Sequence, residues 1–184
     1  PQTAAALSLA KKKGLRIPVV YNSSGYEKPE TLRLLQGLVD VYLPDFKYLS
    51  RELSQKYSHA EDYGDRAKEA LKEMIRQAGS PRFDERGMIR GGVIVRHLLL
   101  PGHVEESKRV VEYLYKTYGN QIYISIMNQY TPMPAMAKDP LLSRRVTKRE
   151  YRRLVDYAVS LGVEQGFIQE GETAEESFIP EFYD

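Results

Sequence analysis

Apolar and polar positions along this chain alternate between two periods, one helical and one extended. Residues 3–13 are rich in Ala and Leu, end in Lys11-Lys12-Lys13, and are followed by Gly14, which predicts a helix with a stop. Leu15 to Tyr21 is a short apolar run leading into Asn22-Ser23-Ser24-Gly25, and predicts a strand and a turn. Pro29 to Gln36 predicts a short helix, with Pro29 suited to its first turn and Gly37 to its end. Leu38 to Pro44 predicts a buried strand. A helical excursion covers about Ser50 to Ala78, with its main helix starting near Asp62 and stopping at Gly79. Phe83 to Gly91 predicts a small hairpin around Glu85-Arg86-Gly87. A second apolar strand, Gly92 to Leu100, closes at Pro101-Gly102. Val104 to Tyr118 is amphipathic, with Val110, Val111, Leu114 and Tyr118 on one side. Ile122 to Met127 is a further strand, opening into Asn128-Gln129-Tyr130-Thr131-Pro132. Thr147 and Glu150 have capping-box spacing at the start of the last long helix, and Gly162 stops it.

Four strands alternating with helices predict an α/β fold with a parallel sheet and right-handed crossovers. Each strand ends in a polar or Gly/Pro-rich turn, as at the mouth of an α/β barrel. Four strands cannot close a barrel, so the expectation is an incomplete partial (β/α) barrel, either an open half-barrel or the back part of a longer chain, one domain over 1–184. An extended tail at about 171–184 is expected to pack through Phe178, Ile179 and Phe182. An unpaired first strand would expose backbone groups, so self-association through that edge is expected.

Side chains alternate faces along a strand, so Val39, Val41, Leu43, Asp45 and Lys47 share one face while the chain stays extended through Pro44. That face begins aliphatic and ends in a carboxylate and an amine: a core that opens into a polar mouth. Strand C-termini are where α/β folds place their chemistry. Arg96 and His97 are adjacent in a strand and therefore point to opposite faces.

Composition narrows the function classes. The 184 residues are 42% hydrophobic and 28% charged, ordinary for a globular domain. The 27 basic and 25 acidic residues nearly balance at +2, which argues against a dedicated nucleic-acid binder. The basic cluster Arg144, Arg145, Lys148, Arg149, Arg152 and Arg153 has no interleaved aromatics and predicts a solvated helix face. No apolar stretch approaches the roughly 20 residues that cross a bilayer, and no signal peptide is visible, so a cytoplasmic location is expected. Gly-rich phosphate loops are absent. His59, His97 and His103 lack metal-ligand spacing. There is no cysteine, hence no thiolate nucleophile and no cysteine-bound metal within the chain. The opening Pro1-Gln2-Thr3, directly before a helical pattern, is what a chain starting inside a larger fold would show.

The turns, taken in order, resemble a known family. Ile17-Pro-Val-Val-Tyr-Asn-Ser-Ser-Gly-Tyr26, Val39-Asp-Val-Tyr-Leu-Pro-Asp-Phe-Lys-Tyr48, Arg96-His-Leu-Leu-Leu-Pro-Gly102 and Met127-Asn-Gln-Tyr-Thr-Pro132 are similar to stretches of the radical S-adenosylmethionine (SAM) proteins related to pyruvate formate-lyase activating enzyme, most of all to its branch of activating-enzyme homologues. Tyr57-Ser58, Asp62-Tyr63 and Glu73-Met74-Ile75-Arg76-Gln77 fit that branch as well. The resemblance implies a partial six-stranded barrel whose first strand carries a Cys-x-x-x-Cys-x-x-Cys loop for a 4Fe–4S cluster. It implies reductive cleavage of S-adenosylmethionine to a 5′-deoxyadenosyl radical, and hydrogen abstraction from a glycine of a partner protein, a glycyl-radical enzyme. On that mapping the chain supplies strands three to six. With no cysteine it cannot hold the cluster, so no catalytic residue is expected within it and the polypeptide alone is expected to be inactive.

The same resemblance implies cofactor-binding roles. Asn22 and Ser23 follow a strand at the mouth; Asn22 falls where the activating enzyme has an acid that helps bind a cation beside the cofactor carboxylate, and, being neutral, is left with hydrogen bonding to a ribose or carboxylate. Asp45 and Lys47 fall beside that cation and the cofactor. Arg96 takes the lumen side of its strand to grip a carboxylate or ribose, leaving His97 as a hydrogen-bonded core histidine. Asn128, Gln129 and Tyr130 approach the adenine. Two other readings stand beside this one. The chain can be a cluster-free binding or interaction module on a degenerate half-barrel. It can also be a half-barrel aldolase or lyase with Lys47 as a Schiff-base amine, although Asp45 on the same face favours the charged ammonium over the free amine that this chemistry needs.

Overall fold

The computed structural model describes residues 2–168. The expected packing of residues 171–184 lies outside the described residues. Helix α1 (Gln2–Lys12) precedes β1 (Val20–Ser23), α2 (Pro29–Arg33) and β2 (Val41–Pro44). The excursion after β2 is two helices, α3 (Arg51–Ser58) and α4 (Tyr63–Ala78). Then come β3 (Arg82–Phe83), β4 (Ile89–Leu98), α5 (Val104–Tyr118), β5 (Tyr123–Met127), α6 (Lys148–Leu161) and β6 (Gly166–Ile168). The fold is an open α/β sheet flanked by helices. The strand order is β1-β2-β4-β5-β6, all parallel, and β3 folds back antiparallel on the start of β4 as the expected hairpin.

Two features differ from the sequence reading. The sheet has a fifth parallel strand, β6, beyond the four expected. Its three residues, Gly166-Phe-Ile168, are all exposed, so neither burial nor alternation announces them. The first strand also starts later than the apolar run suggests. Pro18 has no N–H to give a ladder, and the Val19 N–H donates to the Asp40 carboxylate at 2.8 Å. Pairing therefore begins at Val20↔Val41, and Asn22 and Ser23 are the last two strand residues rather than part of the turn.

The helix-covered face of the sheet is the dry one. Tyr42 and Phe46, Val93, Val95, His97 and Leu99, and Ile122, Ile124 and Ile126 are buried there. Ala67, Ala70, Leu71, Met74 and Ala78 of α4 join this core at helical spacing, as do Val110, Val111 and Leu114 of α5 and Leu154 and Ala158 of α6. Polar side chains lock the layers. The Tyr42 hydroxyl donates to Gln77 at 2.6 Å, and Gln77 in turn donates to Glu73 at 2.7 Å. Glu73 lies almost fully buried beside Arg76, whose guanidinium holds its carboxyl down at about 2. At α6 the capping box is formed as its spacing predicts. Glu150 also accepts the Gly102 N–H at 2.7 Å, which ties the β4–α5 turn to the helix.

Arg144 pairs with Glu150 and Arg153 with Glu105, while Arg145, Arg149 and Arg152 lie exposed, as expected of a solvated face. No helix among the described residues is long and apolar enough to cross a membrane.

Candidate functional site

The opposite face of the sheet carries the polar groups. Leu43 is half-buried there, and Asp45 and Lys47 follow on the same side as alternation requires. The chain stays paired through Pro44. The Asp45 N–H donates to the Ser23 carbonyl at 2.9 Å, and Asp45 bridges to Arg96 of β4. That register fixes the chemistry. Arg96 Nε and Nη2 donate to Asp45 Oδ1 at 2.9 and 2.6 Å, and Lys47 Nζ lies 3.8 Å from Oδ2. One carboxylate thus sits between two cations. The Lys47 side chain is 39% exposed, so its pair is worth at most about 1 kcal/mol. The Arg96 contact is a charge-assisted pair of hydrogen bonds, worth about 1.5–3 kcal/mol. The triad carries a net single positive charge and favours an anionic ligand group beside it.

This triad closes one end of a cavity of about 360 Å³ at the C-terminal ends of β2, β4 and β5. Tyr48, Tyr57 and Ser58 line it from the β2–α3 side, and Leu98 and Leu100 from β4 and its exit. Met127, Gln129, Tyr130, Met133, Met136 and Leu142 complete the wall. The volume falls in the ~300–1,000 Å³ range of small-molecule sites. Its charged end and its soft, thioether- and aromatic-rich end suit a ligand that is ionic at one end and planar or apolar at the other.

The segment after β5 is held over this cavity. The Tyr130 hydroxyl donates to the Leu142 carbonyl at 2.8 Å, so that hydroxyl is committed to the fold. Lys56 of α3 bridges 3.0 Å to Asp139 and donates 3.1 Å to the Tyr57 hydroxyl, which stands 3.0 Å from His103 Nε2. Backbone N–H groups of Leu142 and Leu141, then Lys56, hold the Asp139 carboxyl near 2.

Of the residues singled out in the sequence, Asp45, Lys47, Arg96, Gln129 and Tyr130 meet at the cavity. Asn22 is exposed on β1, in register with Leu43, and is not part of the wall. Ser23 shapes the following turn: its Oγ accepts the Gly25 N–H at 3.3 Å and donates to Glu27 at 3.2 Å. Asn128 is half-buried at the end of β5, outside the wall. The methionines of the wall are not among the residues that the strand ends single out. Three of the five in the chain fall between positions 127 and 136, a soft cluster just after a strand end that was a readable signal.

His97 faces the helix layer, 1% exposed. Its Nδ1 donates to the Phe46 carbonyl at 2.8 Å, which makes Nε2 the unprotonated nitrogen; Nε2 has no hydrogen-bond partner among the described residues. Burial pushes its pKa down, so the ring stays neutral; His103 is shifted the same way. A folded pKa below the unfolded value of about 6.5 makes a stabilising contribution that is complete above that value. The contribution is lost as pH falls through the folded pKa. Urea unfolding at pH 7.5 and 5.5 is expected to show lower stability at pH 5.5, and a His97→Gln chain to show a smaller drop. An equal drop in the variant would remove His97 from this account.

Fold and site together define a class: an open parallel α/β sheet, flanked by helices, with a charged cavity at its strand C-termini. Among solved structures, the chain is similar to the crystal structure of a domain of pyruvate-formate lyase-activating enzyme from Bacteroides vulgatus. The TM-score is 0.57 at 14% identity, over 90% of this chain and 88% of that one, a likeness of fold. Among curated proteins it is similar to the uncharacterized protein MJ0674 of Methanocaldococcus jannaschii, 32% identical over 143 residues. That match covers 77% of this chain and spans 38% of the length of the relative. No protein-family model matches the chain.

Proposed function

We propose that this chain forms the cofactor wall of a radical S-adenosylmethionine protein of the glycyl-radical activating type. The observation that carries the reading is the Arg96–Asp45–Lys47 triad, placed at the strand ends of a parallel sheet and opening into a methionine- and tyrosine-lined cavity. The donor set suits the cofactor. Arg96 and Lys47 offer cations to its carboxylate, Asp45 offers an anion to its ammonium, and the wall around Gln129 and Met136 offers a soft surface to the purine. In proteins of this type the bound cofactor supplies a 5′-deoxyadenosyl radical for hydrogen abstraction. What this chain contributes is binding and orientation. The triad fixes the amino-acid end, and the segment held by Lys56 and Asp139 limits water at the other.

An iron–sulfur cluster does not fit these residues. The chain has no cysteine, and no group of three or more His, Cys, Asp or Glu side chains among the described residues is placed to hold a metal. In this reading the cluster thiolates come from elsewhere in a longer polypeptide, and the hydrogen donor is a glycine of a partner protein. The absence of cysteine also favours a second reading, a cluster-free binding module that uses the same cavity.

Calorimetric titration of the chain with S-adenosylmethionine tests the shared premise. Saturable binding without iron, abolished by Asp45→Asn with Lys47→Met, is the expected outcome. No saturable heat at millimolar cofactor would contradict it.

A further inference from the structure

We infer that Tyr63 is the positioning residue of the charged triad, setting the direction in which Asp45 and Lys47 enter the cavity. It touches neither the cavity nor a charged side chain of the triad; it acts through their peptide groups. As the first residue of α4 it sends its hydroxyl to the end of β2. There Oη accepts the Lys47 N–H at 3.1 Å, and its own proton lies between the carbonyls of Ser24 at 2.8 Å and Asp45 at 3.1 Å. The peptide between the two charged residues is fastened from the other side. The Phe46 N–H donates to the Arg96 carbonyl at 2.8 Å, and the Phe46 carbonyl accepts from His97. With the Asp45 N–H on Ser23, every N–H of the tripeptide 45–47 is therefore bonded, along with the carbonyls of Asp45 and Phe46.

Tyr63 is itself held rigidly. It is 3% exposed, stacked on Tyr26 with centroids 5.8 Å apart, and met edge-on by Tyr48 at 5.7 Å. A residue that served packing alone would need the ring, not the hydroxyl. Among the described residues the hydroxyl bonds only to backbone groups at the ends of β1 and β2, two of them in the residues that carry the triad's charges. Side-chain direction in an extended segment follows its peptide planes. Releasing the 45 and 47 peptides lets both charged groups swing and slackens the Asp45–Arg96 pair.

The inference rests on the proposed cofactor site for its binding arm only, and the test separates the two. NMR of the chain reports the exchange of the Arg96 Nε–H with water, which the Asp45 contact slows. Tyr63→Phe keeps the ring and removes the hydroxyl. It is expected to speed that exchange about fivefold or more and to weaken S-adenosylmethionine binding about tenfold. Thr147→Ala, which removes the cap of α6 away from the cavity, lowers stability as a control and is expected to leave both readouts unchanged. Unaltered Arg96 exchange in Tyr63→Phe overturns the inference. So does an equal change in Thr147→Ala, or a Tyr63→Phe chain that does not fold, since either assigns Tyr63 to general stability. If the wild-type chain binds no S-adenosylmethionine the cofactor reading fails, while the Arg96 exchange still decides the role of Tyr63.

Discussion

Arg96→Ala is expected to weaken S-adenosylmethionine binding on the order of a hundredfold, because truncating one partner of a hydrogen-bonded charge cluster costs about 2–5 kcal/mol. Two effects add. The variant loses the donor fork that can hold a carboxylate bidentately. It also neutralises the site: without Arg96, Asp45 and Lys47 cancel, and the net positive charge that attracts an anionic group is gone. Stability is expected to fall by about 1–3 kcal/mol, since Asp45 is mostly buried and loses both of its close hydrogen bonds. Arg96→Lys separates charge from geometry. It restores the cation but not the planar fork, so intermediate affinity is expected. Calorimetry for binding and urea unfolding for stability check the pair. Wild-type affinity in Arg96→Ala would take Arg96 out of the site.

Gly25→Ala is expected to be the most damaging small substitution near the cavity. Gly25 has φ +74°, a left-handed conformation that costs an L-residue about 1–2 kcal/mol. Its position adds a collision, because a Cβ there would lie 2.2 Å from the Asp45 carbonyl oxygen. Neither atom can yield cheaply: the Cβ is fixed to its own backbone, and the other is the backbone carbonyl that faces the Tyr63 hydroxyl. Relieving the overlap adds about 1–3 kcal/mol, for a total of roughly 2–5 kcal/mol, with Asp45 displaced. Gly37 isolates the first contribution. It has the same φ of +74° with no atom of the described residues within 4 Å of a Cβ, so Gly37→Ala is expected to lose only the conformational cost and leave the cavity intact. Urea unfolding of the two variants compares them directly. Equal losses would show that the approach to Asp45 carries no penalty.

Much of this site was legible along the chain because it depends on local periodicity. The two-residue period placed Asp45 and Lys47 on one face and separated Arg96 from His97, and the structure sets Arg96 beside Asp45 and His97 against Phe46. The capping box at Thr147 is a spacing rule and formed as spaced. What escaped depends on distance in sequence. Nothing around Tyr63 signals a partner 39 residues away at Ser24 or 18 away at Asp45, and within its segment it reads only as a helix start. Asn22 and Asn128 are also polar residues at strand ends, with less support from alternation than Asp45. Asn22 stands in register with Leu43 on the face of Asp45, but on β1, at the end of the strand order and away from the lining of the cavity, and Asn128 follows Met127 just past the end of β5. Strand β6 escaped because an exposed three-residue strand has no burial pattern to read.

In the proposed function S-adenosylmethionine occupies the cavity between the triad and the methionine wall. Amide and side-chain NMR shifts of the chain on titration with the cofactor test it most directly. Saturable shifts are expected to concentrate at Lys47, Arg96, Gln129, Tyr130 and the methyls of Met127 and Met136. Shifts centred elsewhere, as at the hairpin of residues 82–90, or no shifts at millimolar cofactor, would contradict it.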